Sequence, residues 1–339
     1  MSTDELPRHV TARAGTNIAF VKYWGKRDKV LNLPATGSLS LTLAELGSET
    51  RVRFAADAGE PDGRDRVLLH GAPADDRFAG RVRGFLDLVR ARAGVRLPAE
   101  VSTTNSVPTA GGLASSASGF AALAVAAARA AGLKLSPVEL SVLARRGSGS
   151  AARSIFGGFV EMSAGAALDG TDAHAEQILG PEAWDLRLVV ALTTRAQKPL
   201  GSTAAMERTA STSPYYSSWV ESTARELPEA RAAVGDRDLA RLGAIAERSA
   251  LRMHACALSA EPPIIYWNPS TLAAVQAVLE LRAAGTAAYF TIDAGPHVKV
   301  LCPTADAAAV ASALGKVPGV QSTIVAAPGP GARVVEEAA

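Results

Sequence analysis

Apolar and polar residues alternate early in the chain: Leu39, Leu41 and Leu43 stand against serine and threonine, and Val52 and Phe54 against arginines, before the run Val67 to Leu69. A period of two places alternate side chains on one face, so these stretches read as strands of a sheet. Between Phe78 and Val89 the period changes. Phe78, Val82, Phe85, Leu86 and Val89 recur at helical spacing and predict an amphipathic helix. A strand near Glu100 to Thr104 follows, then a loop from Asn105 to Gly112 that runs into the small-residue stretch Ala114 to Ala131, a helix that packs closely on its neighbours. Ser136, Pro137 and Glu139 spell a capping box with proline at the first helical position, opening a helix that ends at Gly147.

From Leu186 the order becomes strand (186–194), helices (about 203–225 and 239–258), a further helix from Ser270, strands (287–293 and 297–302), helix (305–314) and strand (320–326). With an inserted helical pair set aside, this is a β-α-β-β-α-β plan, the pattern of a ferredoxin-like domain. The fold expected is therefore α+β in two domains: an N-terminal mixed α/β domain over 1–185, a C-terminal ferredoxin-like domain over 186–327, and an active-site cleft between them. The tail 328–339 has little apolar content and is expected to fray.

Composition agrees with two packed domains. The chain has 339 residues, 48% hydrophobic and 20% charged, with a mean hydropathy of +0.12. That length exceeds what one compact core usually holds, and the composition excludes disorder for most of it. The net charge of +2 supplies no field that would imply nucleic acid or an anionic membrane as partner, so any anion site must be local. Cys256 and Cys302 form no CxxC pair and five scattered histidines form no HExxH, which leaves a disulfide framework and a zinc hydrolase without support. No apolar signal segment opens the sequence, so a cytoplasmic enzyme is expected.

Four places can carry chemistry. Pro108 to Ala117 is a glycine-containing loop entering a helix, where unpaired backbone N–H groups suit a phosphate; two glycines there equally suit close helix packing. Gly147-Ser148-Gly149-Ser150 precedes Arg153 and brings hydroxyls, amides and a guanidinium together, a second candidate anion site or a plain turn with a solvated arginine. Lys22 and Lys26 flank Tyr23 and Trp24; either lysine alone reads as solvated, whereas their adjacency to aromatics points to a cleft. Asp293 ends the apolar run Tyr289 to Ile292, either as a turn residue bonded to its own backbone or as a carboxylate delivered by a rigid strand end.

Together these segments resemble a known family. Pro108 to Ala117 follows the Pro-x3-Gly-Leu-x-Ser-Ser-Ala signature of the GHMP superfamily of small-molecule kinases. Val21 to Asp28, Leu31 to Pro34, Arg146 to Ser154 and Thr291 to Pro296 are similar, in the same order, to the motifs of the diphosphomevalonate decarboxylase family. The resemblance implies ATP-dependent decarboxylation of 5-diphosphomevalonate to isopentenyl diphosphate, ADP, phosphate and carbon dioxide, with Mg²⁺. It implies catalytic roles for Asp293, Arg153, Lys22 and Ser202, and substrate contacts from Tyr23, Lys22, Lys26, Ser148, Ser150 and Arg153. ATP would be held by Asn105, Pro108, Gly111, Gly112, Leu113, Ser115 and Ser116, the two serines also being metal candidates. A homodimer, with no nucleic-acid or membrane partner, is the implied state. The alternative is a related decarboxylase or 3-kinase acting on mevalonate or its 5-phosphate. Two positions depart from the family pattern: His70-Gly71 where Asn-Gly is common, and Ala205 where glycine is common.

Overall fold

The computed structural model describes residues 6, 9–106, 115–196, 198 and 200–338; for Ser115 it describes the backbone alone. The first half contains β1 (His9–Val21), β2 (Lys26–Asp28), β3 (Leu33–Pro34), β4 (Ser38–Phe54), β5 (Arg66–Leu69), β6 (Ala72–Pro73), α1 (Asp76–Ala93), β7 (Ala99–Asn105), α2 (Ser115–Ala130), α3 (Pro137–Gly147), α4 (Ala151–Ser154), β8 (Phe159–Met162) and β9 (Ala175–Leu179). The second half contains β10 (Leu186–Leu192), α5 (Ser202–Thr212), α6 (Tyr216–Gly235), α7 (Leu239–Leu258), α8 (Pro269–Ala283), β11 (Tyr289–Ile292), β12 (Val298–Pro303), α9 (Ala307–Gly315), β13 (Ser322–Ala326) and β14 (Arg333–Ala338).

The stretches around Leu39 and Val52 are one strand, not two. At 17 residues β4 is long enough to pair β8 through Ser38–Leu41 and β7 through Ser48–Phe54, so it serves two parts of one eight-stranded sheet. Alternation persists along it, with Val52 and Phe54 buried and the arginines between and before them more exposed. Helix α2 lies on β1 and β4, where alanines such as Ala121, Ala124 and Ala127, all fully buried, let backbones approach closely. The capping box of α3 forms as expected: the Ser136 side chain accepts from the Glu139 amide, and Glu139 accepts from the Ser136 amide at 2.9 Å.

The four-stranded second sheet has the order β11-β12-β10-β13, all antiparallel, which is the ferredoxin-like arrangement. Between β10 and β11 the insertion is larger than a helical pair. Pro214 separates α5 from α6, and α5, α6 and α7 all precede α8. Helices α8 and α9 cover one face of this sheet, burying Val278, Val310 and Leu314 against Val298 and Val300. The other face meets the first sheet: Leu188 and Val190 share a core with Ile18, Phe20, Leu39 and Leu41, joined by Val234 of α6 and Ile245 of α7. Each such side chain contributes about 1.5–3 kcal/mol on full burial, so this shared core fixes how the two sheets are placed.

The tail does not fray. Residues 333–338 form β14, an edge strand antiparallel to β1. Apolar content was a poor guide because an edge strand is held by its ladder and its charges: Glu336 pairs with His9 at 3.2 Å and Glu337 with Arg129 at 3.0 Å. On the way there Gly331 passes so close to the chain at Ile155 that a Cβ on it would stand 2.4 Å from that carbonyl oxygen. No helix among the described residues is long and apolar enough to cross a membrane.

Candidate active site

A cleft of about 1080 Å³ opens where the two sheets meet. Lys22, Lys26, Lys29, Arg77, Arg81, Arg146, Arg153 and Lys198 line it, with Asp293 as the acidic side chain among the described lining residues. Such an excess of cations in a concave wall favours a polyanionic ligand.

Asp293 follows β11, its position fixed from below by Glu247 of α7, which accepts from the Phe290 amide at 3.0 Å and from Arg282 at 2.7 and 3.1 Å. The Gly295 amide donates to the Asp293 carbonyl oxygen at 2.7 Å, a turn made by the backbone alone, so the reading of Asp293 as a side chain bonded to its own backbone is replaced by the strand-end carboxylate. The carboxylate itself is free of that turn. Lys22, immediately after β1, donates to Oδ1 at 2.6 Å, and the Lys299 ammonium stands 3.1 Å from Oδ2. Burial opposes the charge on Asp293, but the two ammoniums outweigh it and hold the carboxyl well below the usual carboxylate range. Burial brings Lys22 down to about 8, with Asp293 opposing that shift and Lys299 and Arg153 adding to it. Lys22 also donates to the Ala19 carbonyl at 2.7 Å, so two of its three donors are engaged within the protein.

Arg153, on α4, is 2% exposed. Its Nε donates to Ser40 Oγ at 2.9 Å, its second terminal nitrogen to Asn17 Oδ1 at 3.0 Å, and its first to Ser38 Oγ. Burial brings the guanidinium down to about 10, leaving it charged at neutral pH. Asn17 is itself oriented by donating to Ser154 Oγ and to the Ser150 carbonyl, which ties β1 to the serine loop. In that loop Ser148 Oγ lies 3.3 Å from Ser150 Oγ and 3.4 Å from Ser116 Oγ, so the predicted hydroxyls converge. Gly149 is required beneath them, because a Cβ there would stand 2.2 Å from the Tyr23 hydroxyl. That hydroxyl is buried with no hydrogen-bond partner among the described residues, and burial raises its pKa strongly. Lys26 reaches Asn32 Oδ1 at 2.6 Å, and Asn32 donates on to the Arg146 carbonyl.

Ser202 is the first residue of α5, and its hydroxyl accepts from Lys198 at 2.9 Å. Of the expected ATP-loop residues, Pro108, Gly111, Gly112 and Leu113 lie outside the described residues, as does the side chain of Ser115. Asn105 and Ser116 line a smaller pocket of about 120 Å³ with Phe78, Val82, Thr103 and Phe120, beside the main cleft.

Several cleft residues escaped the sequence reading. Arg77 and Arg81 belong to the polar face of α1, a pattern that says only that a helix is amphipathic; Arg81 donates to the Gly147 carbonyl and lies 4.7 Å over the Phe120 ring. Lys198 precedes α5 with no motif around it. Lys299 did leave a signal: it is a charge at an inward position of the apolar strand Val298 to Cys302.

Known proteins are similar to both halves of the chain. Residues 14–175 match the diphosphomevalonate decarboxylase-like N-terminal domain, and residues 188–328 the mevalonate 5-diphosphate decarboxylase C-terminal domain. The diphosphomevalonate decarboxylase of Aspergillus fumigatus is 36% identical over 94% of this chain and 82% of its own length. The chain belongs to the diphosphomevalonate decarboxylase family. The human diphosphomevalonate decarboxylase is 35% identical over 88% of the chain and 78% of its own. Among solved structures, mevalonate diphosphate decarboxylase from Staphylococcus aureus superposes with a TM-score of 0.91 at 38% identity, covering 98% of this chain and 99% of that one. The complex of MDDEF with MVAPP, AMPPCP and magnesium superposes with a TM-score of 0.89 at 42% identity, covering 97% and 99%.

Within the diphosphomevalonate decarboxylase fold the two departures acquire places. His70 and Gly71 both have positive φ, 53° and 80°, and form the two-residue turn between β5 and β6, away from the residues lining the cleft. Histidine tolerates that left-handed conformation less readily than asparagine. Ala205 is fully buried in α5 beside Trp24 and Met206, so its methyl group packs in the cluster under the Ser202 end of the helix.

Proposed function

We propose that this chain catalyses the ATP-dependent decarboxylation of 5-diphosphomevalonate to isopentenyl diphosphate. The observation that carries the reading is the corner where Asp293, held by Lys22 and Lys299, meets a cleft otherwise lined by cations. A tertiary hydroxyl is a poor leaving group. The γ-phosphoryl group of ATP is therefore transferred to its oxygen, giving ADP and releasing the hydroxyl proton. The carbon–oxygen bond then breaks and releases phosphate, and the carboxylate's carbon–carbon bond supplies the electron pair of the alkene as carbon dioxide departs.

Each role follows from a position in the cleft. Asp293 orients the 3-hydroxyl through a fixed acceptor, and the third donor of Lys22 remains for substrate. Arg153 presents charge with no carboxylate within ion-pair distance among the described residues, which suits the substrate carboxylate. Ser148, Ser150, Tyr23 and Lys26 take the diphosphate end. Ser202 and Lys198 lie at the N-terminus of α5, where partial positive charge favours the γ-phosphate. Arg77 and Arg81 take the nucleotide phosphates, and the apolar slot of Phe78, Val82 and Phe120 beside Asn105 takes the base.

No cluster of three acidic, histidine or cysteine side chains occurs among the described residues, so Mg²⁺ would be held chiefly by the nucleotide, with the Ser116 hydroxyl, and that of Ser115 outside the described side chains, as the protein's candidate ligands. An ion held there would supply neutralisation of the phosphate charge. A cytoplasmic homodimer is part of the same reading.

Purified protein supplied with ATP, Mg²⁺ and, separately, mevalonate, its 5-phosphate and its 5-diphosphate tests this directly. Carbon dioxide and ADP are expected in equal amounts with the 5-diphosphate. ADP without carbon dioxide would reassign the chain as a kinase, and preference for mevalonate or the monophosphate would reassign the substrate.

A further inference from the structure

Strand β12 carries one residue that its pattern does not ask for. Val298, Val300 and Cys302 face the core under α8 and α9, while Leu301 faces the core shared between the sheets. Alternation puts Lys299 on the face of Leu301, where an apolar residue would extend that core. Instead an ammonium sits there with 0% exposure. Among the described residues its ion-pair partner is Asp293, at 3.1 Å from Oδ2.

Burying an ammonium is costly without a counter-ion. Asp293, however, already has one in Lys22 at 2.6 Å, so neutrality inside the fold needs no second lysine. The two cations hold different oxygens of the carboxylate, one from the end of β1 and one from β12. With Lys22 alone, the carboxylate would turn about its terminal torsion, which has broad wells. With both, turning of the plane is opposed at each oxygen, by a hydrogen bond from Lys22 at Oδ1 and by the Lys299 charge at Oδ2, an ion pair outside hydrogen-bond geometry, and the three groups keep one positive charge in excess beside a cleft built for anions.

We propose that Lys299 is a positioning residue for the phosphoryl transfer: by holding Oδ2 it sets the plane of the Asp293 carboxylate and, through it, the reach of Lys22 toward the substrate hydroxyl. The proposal rests on the assignment of Asp293 to that hydroxyl. Other titratable groups that act on this corner are Arg153 of α4, Lys198 of the loop before α5, and His254 of α7, which burial keeps neutral at about 3.

Steady-state kinetics of the full chain with ATP, Mg²⁺ and 5-diphosphomevalonate test it in the unaltered protein, Lys299→Met, Asp293→Asn and the double variant. Lys299→Met is expected to lower kcat by at least about 10-fold with either KM changed by less than about 3-fold. In the Asp293→Asn background the same change is expected to add no further loss, because a residue acting through Asp293 has nothing left to act on. The basic limb of kcat/KM is expected to move to higher pH in Lys299→Met, since a like charge near Lys22 is gone. That shift reports the charge of Lys299, whereas the absence of further loss in the Asp293→Asn background is what a purely structural lysine would not give. Wild-type kcat in Lys299→Met, or additive losses in the double variant, overturns the proposal. If Lys299→Met does not fold, Lys299→Arg decides: the expectation is a lower kcat with the basic limb in place, and an unchanged kcat overturns it. Failure of the unaltered protein to turn over 5-diphosphomevalonate would remove the hydroxyl assignment and this proposal with it, an outcome distinct from failure of Lys299 alone.

Discussion

Lys22 and Arg153 line the same cleft and are both at most 2% exposed, yet their charges are held in opposite ways. Lys22 gives its charge to the Asp293 carboxylate. Arg153 is surrounded by neutral oxygens from Asn17, Ser38 and Ser40, which engage its Nε and one hydrogen of each terminal nitrogen, and among the described residues no carboxylate stands within ion-pair distance of it. A buried cation with a partner is held in place; a buried cation held only by neutral acceptors is kept for an anion that arrives from outside. The difference separates a corner that orients from a wall that binds.

The most damaging way to probe that contrast is Asp293→Asn. It should lower kcat by at least about 10²-fold, and near-normal turnover would remove Asp293 from the mechanism. Because two ammoniums lose their counter-ion together, denaturant unfolding should also show a loss on the order of 3–5 kcal/mol, the cost of breaking a buried pair. Arg153→Lys should act on binding more than on folding. Loss of charge-assisted hydrogen bonds worth about 1.5–3 kcal/mol corresponds to a fall in kcat/KM of roughly 10- to 150-fold, because an ammonium does not reproduce a planar two-point grip. An unchanged kcat/KM would show that charge alone suffices there. Tyr23→Phe is the mildest probe. Its hydroxyl has no partner among the described residues, so stability should stay within about 1 kcal/mol of the parent while KM for the diphosphate rises. A clear loss of stability would mean that the hydroxyl holds the fold and is not reserved for substrate.

Much of this was legible in the residue pattern, and what was missed shares a cause. Helix α1, the capping box of α3 and the ferredoxin-like strand order are written in local periodicity and turn chemistry. Lys22, Arg153 and Asp293 sit in recognisable motifs. Arg77, Arg81 and Lys198 do not, since their presence in the cleft depends on how a helix face and a loop are turned by distant packing. Asn17, Ser38 and Ser40 were invisible as Arg153 partners for the same reason: neighbouring strands and a short helix bring them together only in the folded chain. The tail was misread because edge strands need few apolar residues, and its stabilising contacts lie at the far end of the sequence.

That pairing of β14 with β1 has a consequence for how the molecule comes into being. Strand β1 is the first strand of its sheet along the chain and is followed at once by Lys22, whereas β14 joins that sheet only after every strand of the second sheet has been passed. The edge of the first sheet therefore stays open throughout synthesis of everything between them. A chain halted before residue 333 would emerge with its N-terminal sheet unclosed, its β1 backbone available to any strand that passes.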